Sequence, residues 1–310
     1  MIGEILVEIM ADVPGDGFRA PIALTGPFPS GAPAIFIDQV ARMGQPCGII
    51  SMVGQDDFGR VNTDRLAADG VDVSAIGIDP DRPTGSAFVR YRADGSRDFV
   101  FNIRHSACGT LPDSPAVAAM LESTDHLHVM GTSLSSPEII AFNLAAVRNV
   151  RGKGGTVSFD PNLRKEILHA PGVAQAMQEI LSMTDLFLPS GEEIVLLTEA
   201  QTVEGAVAEV LARGVRAVVH KQGSLGVAYH DATGHCFVPA FQVNEVDPTG
   251  AGDCFGGAFV SLWLRGEETA RALVLAAAAG ALAVTRRGPM EGAARLAEIL
   301  DFAAAQGRGV

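Results

Sequence analysis

Residues 246–260 read VDPTGAGDCFGGAFV, where three small residues stand directly before an acid and an apolar run. The small residues are Gly250, Ala251 and Gly252, and the acid is Asp253. The first backbone N–H groups of a helix lack partners within it, so small side chains there leave them open to an anion. Asp253 then has two possible roles. It can take a proton from a hydroxyl beside that anion, or it can simply be an acid in the first helical turn.

The stretch does not match the common phosphate-binding loops. In the dinucleotide pattern GxGxxG, Gly250 and Gly252 fit, but Phe255 occupies the third glycine position. The P-loop pattern GxxxxGK[ST] needs a lysine, and none is near. We therefore expect neither a dinucleotide fold nor a P-loop.

Composition limits the possible partners of the chain. It has 310 residues, of which 47% are hydrophobic, and its net charge is −13. Only three lysines occur, Lys153, Lys165 and Lys221, and the sequence has no basic run. Nucleic acid and anionic membranes are therefore not expected as partners. The chain is long enough for one large α/β domain.

Cysteine and histidine usage predicts no metal centre. No CxxC pair occurs among the four cysteines, Cys47, Cys108, Cys236 and Cys254, so neither a zinc site nor a disulfide scaffold is expected. His126 and His128 flank one residue and lack neighbouring acid or cysteine ligands, so they are expected as core or surface residues. The start lacks a signal-peptide pattern, and the longest apolar run, 272–284, is shorter than the roughly 18 residues of a membrane span. We expect a cytoplasmic location.

Apolar periodicity predicts strands alternating with helices. Strands are predicted at 5–9, 47–53, 126–130, 156–159, 186–188, 217–220 and 226–229. Helices are predicted at 34–43, 58–68, 137–147, 174–181 and 203–212, and from about 252 and 269. This alternation indicates an α/β fold with a doubly wound, mostly parallel sheet. Ligands bind such sheets beyond the carboxyl ends of the strands, and the polar clusters GQDDFG, DPNLR, PSGEE, KQGS and DPTGAGD fall there.

Residues 84–103 follow a different pattern. TGSAFVRYR and RDFVFNI alternate between apolar and polar residues on either side of ADGS, in which Asp94-Gly95 is a strong turn signal. This predicts a β-hairpin with one polar face, in a small sheet that projects from the main domain. Residues 12–30 are rich in glycine and proline and are expected to be irregular, with room for a short strand.

The opening stretch also resembles a known signature. DPTGAGDCFGGAF is similar to the C-terminal motif of the PfkB, or ribokinase-like, sugar kinases. GEILVE and PSGAPAIFIDQVARMG resemble that family's N-terminal sugar-binding region, and GQDDFG, FDPNLR and KQGSLG match in type and order. The resemblance covers essentially the whole chain, and within the family it points to the ketohexose and ketogluconate branch.

The resemblance implies a fold and an activity. It implies one ribokinase-like domain over 1–310, with a β-sheet lid formed by about 9–30 and 84–104. It implies transfer of the ATP γ-phosphate to a primary sugar hydroxyl, with Mg²⁺ and a monovalent cation, normally K⁺. A ketohexose, tagatose or fructose, is favoured as acceptor, with 2-keto-3-deoxygluconate as the alternative. A nucleoside kinase and a non-catalytic sugar sensor come next, and the base Asp253 argues against a sensor. Family members often pair through their lids, so a homodimer is expected.

The resemblance also assigns roles to residues. Asp253 matches the catalytic base, and the loop Gly250, Ala251 and Gly252 matches the anion hole. The predicted sugar and substrate contacts are Glu8, Gly31, Ala32, Arg104, Asp160, Asn162 and Arg164. The predicted nucleotide contacts are Lys221, Gly223, Gly226, Ala278 and Ala281. The predicted metal-linked residues are Asp247 and Thr249 for the monovalent cation and Glu193 for Mg²⁺.

Some of these residues have simpler explanations. Glu8 can be an outward-facing strand residue, Arg104 a surface arginine, and Asp247 with Thr249 a turn and cap pair. Core packing alone can explain Ala278 and Ala281.

The sequence departs from the family pattern at three positions. In the glycine-rich sugar segment, Ser30 replaces a glycine and Ile35 replaces the sugar-binding asparagine. Ser190 replaces the asparagine of the NxxE motif that ends in Glu193. Ile35 cannot form a hydrogen bond through its side chain, so one sugar hydroxyl has a different partner or none. These changes bear on the identity of the sugar more than on the chemistry.

Overall fold

The structure is a computed structural model that describes residues 1–163 and 172–308. The predicted substrate contact Arg164 lies outside the described residues. The strands are β1 Leu6–Ala11, β2 Leu24–Ser30, β3 Ser51–Gly54, β4 Ile76–Asp79, β5 Gly85–Tyr91, β6 Arg97–Asn102, β7 His126–Met130, β8 Thr156–Asp160, β9 Leu186–Phe187, β10 Ala217–Lys221, β11 Gly226–Asp231 and β12 Gly234–Pro239. The described helices are α1 Ala32–Arg42, α2 Asp57–Asp69, α3 Pro115–Ser123, α4 Pro137–Gly152, α5 Val173–Ser182, α6 Glu193–Leu196, α7 Val203–Ala212, α8 Ala251–Leu264, α9 Thr269–Ala283 and α10 Leu296–Ala305.

A six-stranded sheet forms the centre of the main domain, in the order β12-β11-β10-β9-β8-β7. Strands β7 to β10 run parallel, and β11 and β12 add antiparallel strands at one edge. Successive side chains of a strand point to opposite faces, and Val218 and Val219 accordingly lie in two different apolar clusters. Helices α1, α8 and α9 contribute to one cluster, and α4, α5 and α7 to the other. The predicted doubly wound, mostly parallel fold is confirmed.

A separate four-stranded sheet has the order β2-β1-β5-β6. Strands β5 and β6 form the predicted hairpin around Asp94 and Gly95. The short strand for which residues 12–30 left room is Leu24–Ser30, which pairs with β1. Pro27 and Pro29 weaken the strand signal, but β2 lies at the sheet edge, where a missing N–H donor is tolerated.

The segment GQDDFG, residues 54–59, connects β3 to α2 and forms hydrogen bonds to the residue before β5. Asp56 caps α2 by accepting a hydrogen bond from the N–H of Gly59 at 2.8 Å. The same carboxylate accepts from the N–H and the hydroxyl of Thr84, at 2.8 and 2.7 Å, just before β5 begins. Asp56 therefore links the start of α2 to the residue that precedes β5 of the four-stranded sheet.

The sequence analysis missed several elements with weak patterns. They are β4, α3, β12 and α10. In α3 only Val117 is buried, and β12 is a mostly exposed edge strand, so neither shows a clear apolar period. No helix in the described part of the chain is long and apolar enough to cross a membrane.

His128 lies in the core, whereas His126 is half-buried at the start of β7. The ring nitrogens of His126 lie 2.8 Å from the hydroxyls of Thr156 and Ser158. His128 shares the Ser158 hydroxyl and stacks on Phe36 with ring centroids 3.8 Å apart. Burial lowers the pKa of His126 to about 3, so this histidine is neutral at neutral pH.

Candidate active site

Four of the predicted site residues lie at the carboxyl ends of the parallel strands or contact a residue there. Asp160 is the last residue of β8, and Lys221 is the last residue of β10. Asp253 lies in the first turn of α8, and Asn162 reaches it from the loop after β8. Asp160 and Asp253 are 93 positions apart in the sequence, and the fold brings them together. They lie at the edge where such sheets bind ligands.

The glycine turn is shaped by close packing. Gly250 precedes α8 with φ of 81°, in the left-handed region that favours glycine. A Cβ atom at this position would lie 2.5 Å from the carbonyl oxygen of Pro289 and 3.2 Å from the side chain of Ile35. Gly252, two residues on, is exposed. The helix therefore starts on a tight turn that admits no side chain at Gly250 and leaves Gly252 at the surface.

Asp253 is buried, with 9% of its surface exposed. The side-chain amide of Asn162 donates to its carboxylate at 3.4 Å. Asn162 has a φ of 39°, which is uncommon for a residue other than glycine and is tolerated best by asparagine and aspartate. Its backbone N–H donates to Asp160 at 3.1 Å, which stabilises this turn. The loop after β8 is thus bent so that an amide faces Asp253.

Lys221 is the cation at the centre of the site. Its ammonium forms an ion pair with Asp160, whose side chain is 1% exposed. The ammonium also lies 3.7 Å from the position that a Cβ atom of Gly252 would occupy. Burial opposes its charge, but Asp160, Glu193 and Asp253 together outweigh burial and raise the pKa of Lys221. A positive charge therefore lies near both Asp253 and the glycine turn.

Glu193 joins the loops that follow β8 and β9. Its two carboxylate oxygens accept hydrogen bonds from the N–H of Leu163 at 2.7 Å and from the N–H of Ser190 at 2.6 Å. Burial and the charge of Asp160 raise the pKa of Glu193, while Lys221 and the two backbone donors oppose this. Ser190, which replaces the family asparagine, contributes its backbone N–H to this contact.

Asp247 organises the loop before the glycine turn. It is 1% exposed and accepts from the N–H of Thr249 at 3.0 Å, the N–H of Gly288 at 2.9 Å and the hydroxyl of Tyr91 at 2.6 Å. Within the described residues, no cationic side chain forms an ion pair with it. Buried charges are normally paired or bind metal ions, so this carboxylate with only neutral donors fits a bound cation.

An ionic cluster supports the segment behind this loop. Arg65 donates to the carbonyl of Met290 at 2.8 Å, and Arg42 to the carbonyl of Ala293 at 2.8 Å. Both arginines also pair with Asp38 and Asp69. Burial, with a smaller effect of the neighbouring Asp69, raises the pKa of Asp38 to about 7. The cluster therefore holds the chain that approaches Gly250.

Three of the predicted sugar contacts, Glu8, Gly31 and Ala32, lie on β1 and at the start of α1. Glu8 is 4% exposed, so it is not an outward-facing strand residue, and the Ser30 hydroxyl donates to it at 3.3 Å. Gly31 has a φ of 108°, and a Cβ atom there would lie 2.5 Å from the carbonyl oxygen of Glu4. Ala32 follows as the first residue of α1. Ile35 is buried against the glycine turn and makes packing contacts in place of the hydrogen bonds of an asparagine.

Arg104 is not brought to these residues. It is exposed and lines a cavity of about 570 Å³ at the root of the four-stranded sheet. Asp56, Thr84, Asn102 and His105 line the same cavity, and Glu8 and Asp253 are not among its described lining residues. Arg104 therefore lines a cavity that Phe101 also lines, but whose described lining includes neither Glu8 nor Asp253.

The predicted nucleotide positions differ in exposure. Gly223 is exposed in the turn after β10, and Gly226 begins β11. Ala278 is fully buried in the core, whereas Ala281 is half-buried. Helical spacing therefore leaves Ala281, but not Ala278, with surface that a ligand could contact.

The comparison with protein families decides the assignment. The sequence pattern of the pfkB family carbohydrate kinases matches residues 28–295. The chain belongs to this family. As a pfkB family carbohydrate kinase, it is a phosphotransferase with an alcohol group as acceptor.

Similar proteins agree with this assignment. The chain is 31% identical to 2-dehydro-3-deoxygluconokinase from Thermoproteus tenax, over 94% of this chain and 89% of that one. A candidate ribokinase II from E. coli, solved with ATP and Mg²⁺, is 50% identical over 98% of both chains, with a TM-score of 0.92. A fructokinase double mutant from Vibrio cholerae O395, solved with fructose, ADP and potassium ion, is 26% identical over 97% of this chain and 96% of that one, with a TM-score of 0.84.

The residues of this pfkB kinase fit the metal ions only in part. The described residues contain no group of three or more His, Cys, Asp or Glu side chains that could hold a metal ion by themselves. Mg²⁺ usually keeps several waters and takes one or two carboxylates together with substrate phosphates. Asp160 and Glu193, which face Lys221, are suitable carboxylates. Asp247 is a suitable ligand for the monovalent cation, because it is a buried carboxylate that accepts only from neutral donors among the described residues.

Sequence reasoning missed two aromatic residues of this pfkB kinase that share a face of the four-stranded sheet with Glu8. Paired residues of neighbouring strands share a face, and the register pairs Glu8 with Ala87 and Ala87 with Phe101. Phe101 stacks on Phe99 at 5.0 Å between ring centroids, so two aromatic rings lie on the face that carries Glu8. The alternation of apolar and polar residues over 97–103 predicted a strand with two different faces. It did not indicate which of these faces carries Glu8.

Proposed function

We propose that this enzyme transfers the γ-phosphate of Mg·ATP to a primary hydroxyl of a ketohexose, with tagatose or fructose favoured. One observation carries the proposal. Asp253 is buried at the start of α8, directly after the glycine turn and beside the ammonium of Lys221. An acid in the first turn would suffice as a helix cap without this cation and without the amide of Asn162.

In the proposed reaction, Asp253 accepts the proton of the sugar hydroxyl as the O–H bond breaks. The sugar oxygen forms a bond to the γ-phosphorus in line, the bond between that phosphorus and the bridging oxygen of ADP breaks, and ADP leaves with the electron pair. The N–H groups of residues 250–252 stabilise the charge on the phosphoryl oxygens, and donors of this kind are worth about 2.7–4 kcal/mol each. A general base contributes about 10²–10⁴ in rate.

The metal ions would be held by residues already described. Mg²⁺, when bound, would neutralise charge on the phosphates, near Asp160 and Glu193. Asp247 and Thr249 would hold a potassium ion and so keep the loop before Gly250 in place. The ions in the E. coli and Vibrio structures support these assignments.

The substrate preference follows from Glu8. A buried carboxylate attracts hydroxyl donors and repels a substrate carboxylate, so Glu8 favours a neutral sugar at its end of the site. The rings of Phe99 and Phe101 lie on the same face and suit the apolar face of a sugar. Arg104 and the Thermoproteus relative support the second candidate, 2-keto-3-deoxygluconate, because an arginine can pair with a carboxylate.

The four-stranded sheet is proposed as a lid, formed by β1, β2 and the β5–β6 hairpin. Closing it over the sugar would exclude water and limit ATP hydrolysis. We also propose a homodimer through this sheet, whose segments expose Val13, Leu24 and Val100. The four free cysteines fit a reducing compartment, so the cytoplasm is the proposed location.

The test is ATP-dependent ADP release with tagatose, fructose, psicose, 2-keto-3-deoxygluconate, ribose and adenosine. We expect one ketohexose to give the highest kcat/KM, and Asp253→Asn to lower turnover about 10²-fold or more with an intact fold. Glu8→Gln should raise the sugar KM and leave the ATP KM unchanged. Turnover of Asp253→Asn at the wild-type level would remove Asp253 from the base role. A strong signal with 2-keto-3-deoxygluconate alone would establish the second candidate.

A further inference from the structure

Two side chains of the β5–β6 hairpin contact the loop that leads into the glycine turn. The Tyr91 hydroxyl donates to Asp247 at 2.6 Å and lies 3.1 Å from the hydroxyl of Thr249. The Arg97 guanidinium donates to the same Thr249 hydroxyl at 3.3 Å. Tyr91 and Arg97 are directly paired across the hairpin, so they lie on one face of the four-stranded sheet. One end of this sheet therefore contacts the phosphate side of the site.

The contacted loop controls the position of the anion-binding N–H groups. Thr249 directly precedes Gly250, and its own N–H donates to Asp247 at 3.0 Å. The N–H of Gly288 donates to the second oxygen of Asp247, next to Pro289, whose carbonyl faces Gly250. A shift of Asp247 or Thr249 would therefore move the first N–H groups of α8. Donors that stabilise a transition state act only when they are held in place.

The register connects Tyr91 to the sugar side as well. Glu8 pairs with Ala87, and Tyr91 follows Ala87 by four residues on the same strand, so both Glu8 and Tyr91 lie on the same face. The sheet that carries the sugar-side acid thus also carries the hydroxyl that contacts Asp247. When this sheet is in place, the sugar contact and the loop contact are made together.

We propose that Tyr91 is a positioning residue for phosphoryl transfer, which with Arg97 fixes the Asp247–Thr249 loop when the four-stranded sheet covers the sugar. The inference rests on the proposed kinase reaction and adds to it a coupling between the two sides of the site. Its consequence is that the N–H groups of residues 250–252 are held in line only when the sheet is closed.

The hairpin itself does not depend on Tyr91. Arg92 donates to Asp98 with two hydrogen bonds, at 3.0 and 2.7 Å, and the backbone pairs of β5 and β6 are complete from Ser86–Asn102 to Tyr91–Arg97. Removing only the Tyr91 hydroxyl therefore leaves the hairpin and its ring in place. Tyr91→Phe is thus a specific test of the contact to the loop.

The chain offers a matched control, because it contains only two tyrosines. Tyr229 is buried on β11, where its hydroxyl interacts with Asp231 and Thr269 and, among the described residues, not with Asp247 or Thr249. We expect Tyr91→Phe to lower kcat with the preferred sugar about tenfold or more, which is less than the 10²–10³-fold effect of deleting an oxyanion donor. The ATP KM should change less than twofold. Tyr229→Phe should leave both constants unchanged.

Two further measurements separate positioning from general destabilisation. Hydrogen exchange of the amides of residues 248–254 should be faster in Tyr91→Phe than in the wild type, with sugar and an ATP analogue bound, and unchanged in Tyr229→Phe. The double variant Tyr91→Phe with Thr249→Val should lose much less than the product of the two single losses in kcat, because both changes release the same loop.

The outcomes distinguish this inference from the proposed function. If the wild type phosphorylates a sugar and Asp253→Asn abolishes turnover, the kinase proposal stands. Wild-type kcat and unchanged exchange in Tyr91→Phe would then overturn the positioning role alone. If the wild type phosphorylates no sugar, the kinase proposal fails, and the hydrogen-exchange comparison with sugar present still decides whether Tyr91 holds the loop.

Discussion

Replacing the two members of the buried Lys221–Asp160 pair should give unequal losses of stability. Asp160 accepts from Lys221 and from the N–H of Asn162, whereas Lys221 is the only described cation facing Asp160, Glu193 and Asp253 together. Lys221→Met therefore leaves three acids without their cation, while Asp160→Asn leaves Lys221 with two acids. Breaking a buried pair costs about 3–5 kcal/mol, and we expect Lys221→Met near the upper end and Asp160→Asn near or below the lower end.

The expected temperature shift follows from the size of the chain. At about 2.1 cal/mol/K per residue, a 310-residue protein has an unfolding entropy of about 0.65 kcal/mol/K, so 1 kcal/mol lowers Tm by about 1.5 °C. Lys221→Met should then lower Tm by about 6–8 °C and Asp160→Asn by about 3–5 °C. The double variant should lose about 2–3 kcal/mol less than the sum, which is a coupling typical of contacting residues.

The assays are thermal unfolding for Tm and urea unfolding for the free energy, both without nucleotide and followed by the fluorescence of the single tryptophan, Trp263. A surface pair gives the control, because Arg148 and Glu179 are paired with 60% and 35% of their side chains exposed. Arg148→Met should cost less than about 1 kcal/mol. A loss in Asp160→Asn that equals or exceeds the loss in Lys221→Met, or strict additivity in the double variant, would refute the assignment of Lys221 as the shared cation.

Two further predictions concern the glycine turn and the ionic cluster behind it. Gly250→Ala places a Cβ atom about 2.5 Å from the Pro289 carbonyl and should lower kcat about 10²-fold, whereas Gly154→Ala, with the same φ of 81° and open space, should leave kcat unchanged; equal kcat losses would contradict the packing argument. The raised pKa of Asp38, about 7, means that its contribution to folding stability is present below about pH 4 and is lost as pH rises through 7. The pKa of Asp69 is lowered, so its contribution to folding stability is present above about pH 4 and is lost as pH falls below that value. Asp38→Asn should therefore gain stability relative to the wild type between pH 5 and pH 8 in urea unfolding, and an unchanged difference would show that Asp38 is charged throughout.

The central fold was predictable because its determinants are local. Each strand of the parallel sheet is a short apolar run, and each helix carries an apolar face, so periodicity located β7 and α7 at the bounds that the structure gives. Exposed elements such as α3 and β12 were missed because they bury few residues. Strand β2 was undervalued because its prolines oppose a strand everywhere except at an edge.

The candidate site was predictable only where a motif carries the chemistry. Asp253, the glycine turn and Asp247 were predicted from contiguous residues, and the structure brings them together with Asp160, Asn162, Glu193 and Lys221. Arg104, by contrast, lies at a neighbouring cavity, and Ala278 is fully buried. The residues next to Arg104 or Ala278 in the sequence do not indicate which part of the folded protein each side chain will contact.

The sequence alone determined the alternation of strands and helices, the anion-binding turn with its acid, and the hairpin. These depend on interactions within a few residues, which composition and spacing record directly. Only the tertiary structure decided that Tyr91 contacts Asp247, that Lys221 is shared by three acids, and that Ile35 packs against Gly250. These contacts join residues from different sheets and helices, so they depend on how the packed elements face one another, which no local pattern in the chain encodes.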